Sequence, residues 1–200
     1  MKIGIVPSIK NFYRKDNNYV LDQRWLIFLK KIFKTCEVHI ITQNIKNFNF
    51  NLVILSGGND SLKYSSKKRD IIRNKIDDLV IKLCLKKKIK LIGICWGAIK
   101  INEYLNGNTK RIKNHVNTFH NIGGVLKIGN KNINKKYKVN SFHNFSLKTL
   151  GNDLQAVLKC SNDNSIEMFT HKYKKIIGIM WHPERNNKIN ELDKIIFRSL

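Results

Sequence analysis

Short apolar runs alternate with longer helical stretches through the first half of the chain, and this alternation limits the possible folds most. Strands are predicted at Lys2 to Pro7, at Leu52 to Leu55, and in KLIGIC, which ends at Cys95. Helical spacing of apolar residues lies between them, from Asp22 to Phe33 and from Ser66 to Lys88. Because parallel strands need crossover connections, this order predicts a central, mostly parallel sheet with helices on both faces.

The second half of the chain has a different pattern. After Gly107, short strand-like runs such as GGVLKIG and KKIIGIM are separated by polar or Gly/Asn turns, and only Asn190 to Leu200 has helical spacing. A chain of 200 residues suits one sizeable core. We therefore predict a single domain over residues 1–200, of the α/β class, with a β-rich second half.

The charge balance is strongly basic, with 38 Lys and Arg against 14 Asp and Glu, a formal net charge of +24. Such a charge favours an anionic partner, but abundant Lys, Asn and Ile together also indicate a compositional bias. The basic residues are scattered, and no basic strip interleaved with aromatic residues and no reading helix is recognisable. Nucleic acid is therefore not an expected partner, whereas an anionic small molecule is compatible with the charge.

The four cysteines, at positions 36, 84, 95 and 160, are widely spaced. Without an export signal or an apolar run of membrane-spanning length, we predict a cytoplasmic protein with free thiols and no membrane association. No cysteine–histidine spacing resembles a zinc ligand set, so the sequence predicts no metal site. Cys36, Cys84 and Cys160 lie in apolar runs that are typical of core thiols.

Three chemically suggestive segments end predicted strands: Gly57 to Asp60, Gly93 to Gly97, and Trp181 to Glu184. Ligand sites of open α/β sheets lie beyond the carboxyl ends of the strands, so these segments are expected to meet. The middle one has the form of a nucleophile elbow, in which small residues flank Cys95 at a sharp strand-to-helix turn. A position at a helix N-terminus also favours a thiolate.

A thiolate nucleophile needs a base, and the base needs an orienting group. His182 and Glu184 supply this pair, because residues two apart on an extended chain project to the same side. Gly57 and Gly58 offer unshielded backbone N–H groups, which could hold a developing oxyanion together with the N–H of Trp96.

LSGGND, GICWGAIKINEYLNG, VNSFHN and GIMWHPE, in this order, resemble the class I glutamine amidotransferase family, and in particular its γ-glutamyl hydrolase branch. The resemblance implies a flavodoxin-like α/β fold, a Cys95–His182–Glu184 triad, and an oxyanion hole formed by the N–H groups of Gly58 and Trp96. It implies no metal and no organic cofactor. The VNSFH segment resembles the substrate loop of the branch, so Ser141 and His143 are candidates to bind the γ-glutamyl α-amino and carboxylate groups. Gly57 is a third candidate substrate-binding residue.

The family chemistry is hydrolysis of a γ-glutamyl amide through a γ-glutamyl thioester on Cys95. The resemblance extends to enzymes of capsule phosphoramidate synthesis, which implies a nucleotide-linked substrate that yields glutamate and cytidine diphosphoramidate. Alternatives are a γ-glutamyl-γ-aminobutyrate hydrolase and a glutaminase subunit that passes ammonia to a partner synthase. Ile99, where many members carry glutamine, disfavours the glutaminase subunit. His115 and His120 are expected to be structural or pocket-lining residues.

Overall fold

A mixed β-sheet, covered by helices on both faces, organises the computed structural model, which describes residues 1–12, 16–45, 47–128 and 131–199. The strands are β1 (Lys2–Val6), β2 (Ser8–Lys10), β3 (Asn18–Val20), β4 (Glu37–Ile40), β5 (Leu52–Leu55), β6 (Lys90–Ile94), β7 (Asn108–Arg111), β8 (Val116–Gly123), β9 (Val125–Ile128), β10 (Lys131–Asn134), β11 (Tyr137–Phe142), β12 (Phe145–Thr149), β13 (Leu154–Cys160), β14 (Ile166–His171) and β15 (Ile176–Ile179). The helices are α1 (Arg24–Ile32), α2 (Lys68–Lys87), α3 (Trp96–Tyr104) and α4 (Glu191–Arg198), with a 3-10 turn at Pro183–Arg185.

The strand order across the main sheet is β11-β8-β13-β14-β15-β6-β5-β1-β4. Strands β4, β1, β5, β6 and β15 are parallel to their neighbours in this group, and the strands beyond β15 pair antiparallel. The predicted α/β class, with a parallel centre and a β-rich second half, is therefore confirmed. The last helix begins after its N-cap Asn190, as the spacing predicts, and ends at Arg198; Leu200 lies outside the described residues.

Four of the parallel strands, β1, β5, β6 and β15, are mostly buried because helices cover both faces, whereas the edge strand β4 is largely exposed. On one face Ile3 and Ile54 pack with Phe28 of α1 and Phe197 of α4. On the other face the core contains side chains of β5 together with Val80 of α2 and residues of α3. Near-continuous apolar strands are typical of such two-sided burial. Within the described ranges, no helix combines the length and the apolar character needed to cross a membrane.

The carboxyl ends of three adjacent strands build one corner of this fold. Strand β5 leads into Gly57, β6 leads into Cys95, and β15 leads into the segment that contains His182. The backbone N–H of Cys95 donates to the carbonyl of Ile179 at 2.8 Å, which continues the parallel pairing of β6 with β15. The segments are remote along the chain, but the strand order makes them neighbours.

Candidate active site

Cys95 stands on a strained turn between β6 and α3. Its backbone has φ 50° and ψ −104°, a conformation that L-residues rarely adopt. Two glycines make this turn possible. A Cβ on Gly93 would lie 2.5 Å from the carbonyl carbon of Gly97, and a Cβ on Gly97 would collide with the backbone of Leu55. The turn is therefore a nucleophile elbow of the kind that the G-x-C-x-G pattern predicts.

His182 lies beside Cys95, with Glu184 on its other side. The Nδ1–H of His182 donates to Oε1 of Glu184 at 2.7 Å, and both side chains are buried. The expected extended geometry is wrong in one respect: His182 is extended, but Pro183 begins a 3-10 turn, so Glu184 does not continue the strand. The turn brings the carboxylate back to the imidazole. Proline fits the first position of this turn because it loses no hydrogen bond there.

The ionisation of His182 is coupled to both neighbours. Burial by itself lowers the pKa of His182, but the hydrogen bond and charge of Cys95, and then those of Glu184, outweigh burial and raise the pKa to about 9. Gly57 closes this arrangement from one side, since a Cβ there would lie 2.7 Å from Cε1 of His182 and 3.4 Å from the Cβ of Cys95. Only a glycine leaves the imidazole in contact with the thiol.

A cavity of about 240 Å³ opens above Cys95 and His182. Gly58, Trp96 and Ile99 line it, with Phe142 and His143 across from them. Gly58 has φ 103°, a conformation that strongly favours glycine. The structure thus brings together at one cavity the predicted nucleophile, the predicted base and both predicted oxyanion-hole residues.

Of the predicted substrate residues His143 and Ser141, only His143 lines the cavity. His143 lines the cavity, although its Nδ1–H donates to the carbonyl of Phe145 at 2.9 Å. Ser141 does not reach the cavity: it is fully buried, and its hydroxyl donates to the carbonyl of His115 at 2.6 Å. Because side chains alternate along strand β11, Phe142 is the neighbour that faces the cavity instead.

A buried ion pair that the sequence analysis missed supports the elbow. Arg73 on α2 pairs with Asp77 at 2.9 Å and donates to the backbone carbonyls of Pro7 and Ser56 at 2.7 and 2.8 Å. Asp77 also accepts from the indole N–H of Trp96 at 2.9 Å. Burial raises the pKa of Asp77, although Arg73 and Trp96 oppose that rise. The pair thus ties the loops after β1 and β5 to the residue that follows the nucleophile.

Arg185 and Asn140 were also missed. The guanidinium of Arg185 lies 4.6 Å from the ring centroid of Phe142, and this arginine lines the cavity. Asn140 bonds the backbone of His182 from strand β11. The arginine directly after His-Pro-Glu is a sequence signal that could have indicated Arg185. The role of Asn140 becomes visible only from its hydrogen bonds to His182, 42 positions away along the chain.

A groove adjoins the cavity at Thr109, which lines both. Tyr64 and Phe145 stack there with ring centroids 4.6 Å apart. The guanidinium of Arg111 lies 5.9 and 5.5 Å from the two rings. The groove is also lined by three lysines: Lys63, Lys110 and Lys148. Aromatic faces beside several cations suit a planar, anionic ligand.

The other thiols have different surroundings. Burial raises the pKa of Cys84 to about 12, and burial raises the pKa of Cys160 as well. Cys36 is half-buried against the core, and all four cysteines are free thiols. Neither Cys84 nor Cys160 has the surroundings of a reactive thiolate, because the charged form is disfavoured in an apolar site.

The fold and this site define a member of a known family. The model of the family described as "Glutamine amidotransferase class-I" matches residues 27–199, and the chain belongs to this family. The chain is 43% identical to the gamma-glutamyl-CDP-amidate hydrolase of Campylobacter jejuni, over 96% of this chain and 94% of that protein. The family and the branch predicted from the sequence are therefore confirmed.

More distant relatives share the fold. The glutamine amidotransferase-like protein YvdE of Lactococcus lactis is 28% identical over 78% of this chain and 76% of its own length. Among solved structures, PurLQS from Thermotoga maritima superposes with a TM-score of 0.68 at 18% identity, covering 99% of this chain and 96% of that chain. Structural agreement at such low identity shows the fold alone.

Proposed function

We propose that this protein hydrolyses the γ-glutamyl amide bond of γ-glutamyl-CDP-amidate and releases glutamate and cytidine diphosphoramidate, for use in capsule modification. The proposal is carried by one observation: Cys95, His182 and Glu184 meet at a cavity that continues into a basic, aromatic groove. The similarity to the Campylobacter enzyme over nearly the whole chain supports the same substrate.

The chemistry follows from the positions of the three side chains. The Cys95 sulfur attacks the γ-carbonyl carbon, and the N–H groups of Gly58 and Trp96 stabilise the oxyanion. The C–N bond then breaks as the His182 imidazolium gives its proton to the leaving nitrogen. This step leaves a γ-glutamyl thioester and cytidine diphosphoramidate.

Deacylation reverses the role of the imidazole. His182 accepts a proton from water, the resulting hydroxide attacks the thioester carbonyl, and the C–S bond breaks to release glutamate and the thiolate. Glu184 holds the imidazole throughout, because the 2.7 Å hydrogen bond fixes both the tautomer and the ring orientation. The chain needs no further group for either step.

The two ends of the substrate would occupy different parts of the site. We place the glutamyl end in the cavity, near Gly58, His143 and the guanidinium of Arg185, whose charge suits the α-carboxylate. The nucleotide diphosphate end would extend past Thr109 into the groove. The basic side chains there would attract the diphosphate, since clefts of one sign concentrate oppositely charged ligands. Part of the +24 net charge would then serve substrate binding.

The four free thiols fit a reducing compartment, and we propose that the enzyme acts in the cytoplasm. Ser141 supports the substrate loop from behind in this proposal, through its hydrogen bond to His115, and makes no substrate contact.

The test is glutamate release by the purified chain, without partners, from γ-glutamyl-CDP-amidate, free glutamine and γ-glutamyl-γ-aminobutyrate. We expect a strong preference for the nucleotide substrate, with loss of turnover in Cys95→Ala and full turnover in Cys36→Ala. A preference for free glutamine, or turnover only with an added synthase, would instead support an ammonia-delivering glutaminase. A γ-glutamyl adduct on a cysteine other than Cys95 would reject the site assignment.

A further inference from the structure

A buried cluster of three histidines and one glutamate lies behind the cavity wall. It contains His115, His120 on β8, His143 after β11, and Glu167 on β14. Each of these residues is at most 5% exposed. The mechanism proposed above uses only the cavity-facing side of His143, so the cluster as a whole has no assigned role.

Four polar atoms of the cluster have no hydrogen-bond partner among the described residues. They are Nδ1 of His115, Nε2 of His120, Nε2 of His143 and Oε2 of Glu167. A buried polar group without a hydrogen-bond partner destabilises the folded state, because it loses its hydration and gains nothing in return. The ligand atoms of His115, His143 and Glu167 lie within 4.8 Å of one another, and a shared ligand explains their unpaired atoms better than separate penalties do.

The separations between these groups fit a metal coordination shell. Oε1 of Glu167, which also accepts from the Ser165 hydroxyl, lies 3.6 Å from Nδ1 of His115 and 3.6 Å from Nε2 of His143, whereas Oε2 lies 3.3 Å from Nε2 of His120. These distances are long for hydrogen bonds. A tetrahedral ion bound at about 2.0–2.1 Å holds its ligand atoms about 3.3–3.4 Å apart, close to the separations seen here.

The opposite ring nitrogens are already held in the way that metal sites require. Nε2 of His115 bonds the carboxylate of Asp163 at 2.9 Å, and Nδ1–H of His143 donates to the carbonyl of Phe145 at 2.9 Å. Each bond fixes the orientation of the ring and leaves the nitrogen that faces the cluster free of a proton and able to bind a metal ion. Ligating histidines usually have such a carboxylate or carbonyl partner on the second nitrogen.

We propose that His115, His143 and Glu167 of this cluster form a zinc-class divalent cation site. Two histidine nitrogens and one carboxylate are a set of ligands that zinc takes in proteins, with water in the fourth position. The sequence spacing hid the site because the ligands come from separate strands and loops. His120 and the thiol of Cys160 form a second group with His115, in which the ligand atoms also lie within 4.8 Å of one another.

The ion would join β8, β14 and the turn after β11. His143 belongs both to this cluster and to the cavity lining, so the cation would fix one wall of the cavity without taking part in the chemistry. This inference does not depend on the proposed substrate, and its test needs no activity measurement.

The test is metal analysis of the full chain after chelator stripping, reloading with Zn²⁺ and desalting. We expect stoichiometric retained zinc, and a rise of about 5–10 °C in the unfolding midpoint when free Zn²⁺ is a hundredfold above its dissociation constant. Co²⁺ should give the absorption of a tetrahedral site, without the charge-transfer band that ligation by Cys160 would add.

Variants decide whether the retained zinc is at this cluster. Glu167→Gln and His115→Gln should lose both the zinc and the thermal shift, while circular dichroism shows that each is folded. His171→Gln, at a buried histidine outside the cluster, should keep both. No retained zinc in the wild-type chain, or retention unchanged in both cluster variants, would overturn the proposal and leave a histidine–carboxylate network.

Discussion

Asn140 bonds both the backbone N–H and the backbone carbonyl of His182. Its Oδ1 accepts from the N–H of His182 at 2.8 Å, and its Nδ2 donates to the carbonyl of His182 at 2.8 Å. A third bond joins Nδ2 to the side chain of Asn186 at 2.8 Å. The position of the proposed base therefore depends on strand β11, which lies at the far edge of the main sheet order.

We expect Asn140→Ala to lower kcat about 10- to 100-fold with little change in KM, because a misplaced base slows proton transfer more than it weakens binding. Asn140→Asp should be intermediate, since it keeps the acceptor for the His182 N–H and loses the donor. The control is Asn51→Ala, which removes an asparagine that bonds the backbone of Lys2 far from the site. Unchanged kcat in Asn140→Ala would show that the 3-10 turn alone places His182.

The strain at Cys95 predicts an inverse relation between stability and activity at this position. With φ at 50° and ψ at −104°, a Cβ costs about 1–3 kcal/mol, whereas glycine adopts the conformation freely. We expect Cys95→Gly to be more stable than Cys95→Ala by about 0.5–2 kcal/mol, after allowing for the greater unfolded-state entropy of glycine. Both variants should be inactive.

Urea denaturation of the two variants measures this difference directly, because both lack the thiol and differ only in the methyl group. Gly97→Ala is not a usable comparison, since its Cβ would collide with the backbone of Leu55. A Cys95→Gly variant less stable than Cys95→Ala would mean that the elbow stores no strain.

Much of the fold and the centre of the site could be predicted from sequence. The alternation of strands and helices indicated the parallel centre because β1, β5, β6 and β15 are mostly buried, and the motifs at Cys95 and His182 are local in sequence. Arg73 and Asn140 could not be found in this way. Their roles depend on side chains that reach segments 66 and 42 positions away along the chain. Ser141 was misjudged because the direction of a side chain depends on the strand register.

The raised pKa of His182 predicts the alkaline limit of activity. The imidazolium must protonate the leaving nitrogen, so kcat/KM should fall as the pH rises through about 9. Glu184→Gln removes a carboxylate that favours the imidazolium, and we therefore expect the alkaline limb to move to lower pH with part of the turnover retained. Glu37→Gln is the matched control, because Glu37 pairs with His39 at 3.4 Å on the surface.

The same linkage applies to stability. A group whose pKa is raised on folding stabilises the native state fully below its ordinary pKa of 6.5, and that contribution is lost as the pH rises through about 9. The free energy of unfolding of the wild-type chain should therefore fall between these pH values more steeply than that of Cys95→Ala. Equal pH dependence in the two proteins would contradict the coupling between Cys95 and His182.

The groove beside the cavity predicts which part of the substrate Tyr64 and Arg111 contact. Tyr64→Ala removes one of the two stacked rings. Stacking of a nucleic-acid base on an aromatic side chain is worth about 1–3 kcal/mol. We expect KM for γ-glutamyl-CDP-amidate to rise about 5- to 100-fold, while hydrolysis of γ-glutamyl-γ-aminobutyrate stays as in the wild-type chain. Tyr173→Ala, at a tyrosine that is 79% exposed, should change neither.

Arg111→Ala separates charge from stacking at the same groove. If the diphosphate lies there, kcat/KM for the nucleotide substrate should fall as salt is added, and this salt dependence should be weaker in Arg111→Ala. The substrate without phosphates should show little salt dependence in either protein. An equal loss with both substrates would mean that Tyr64 and Arg111 support the cavity wall through Phe145, and the nucleotide would then have to bind elsewhere.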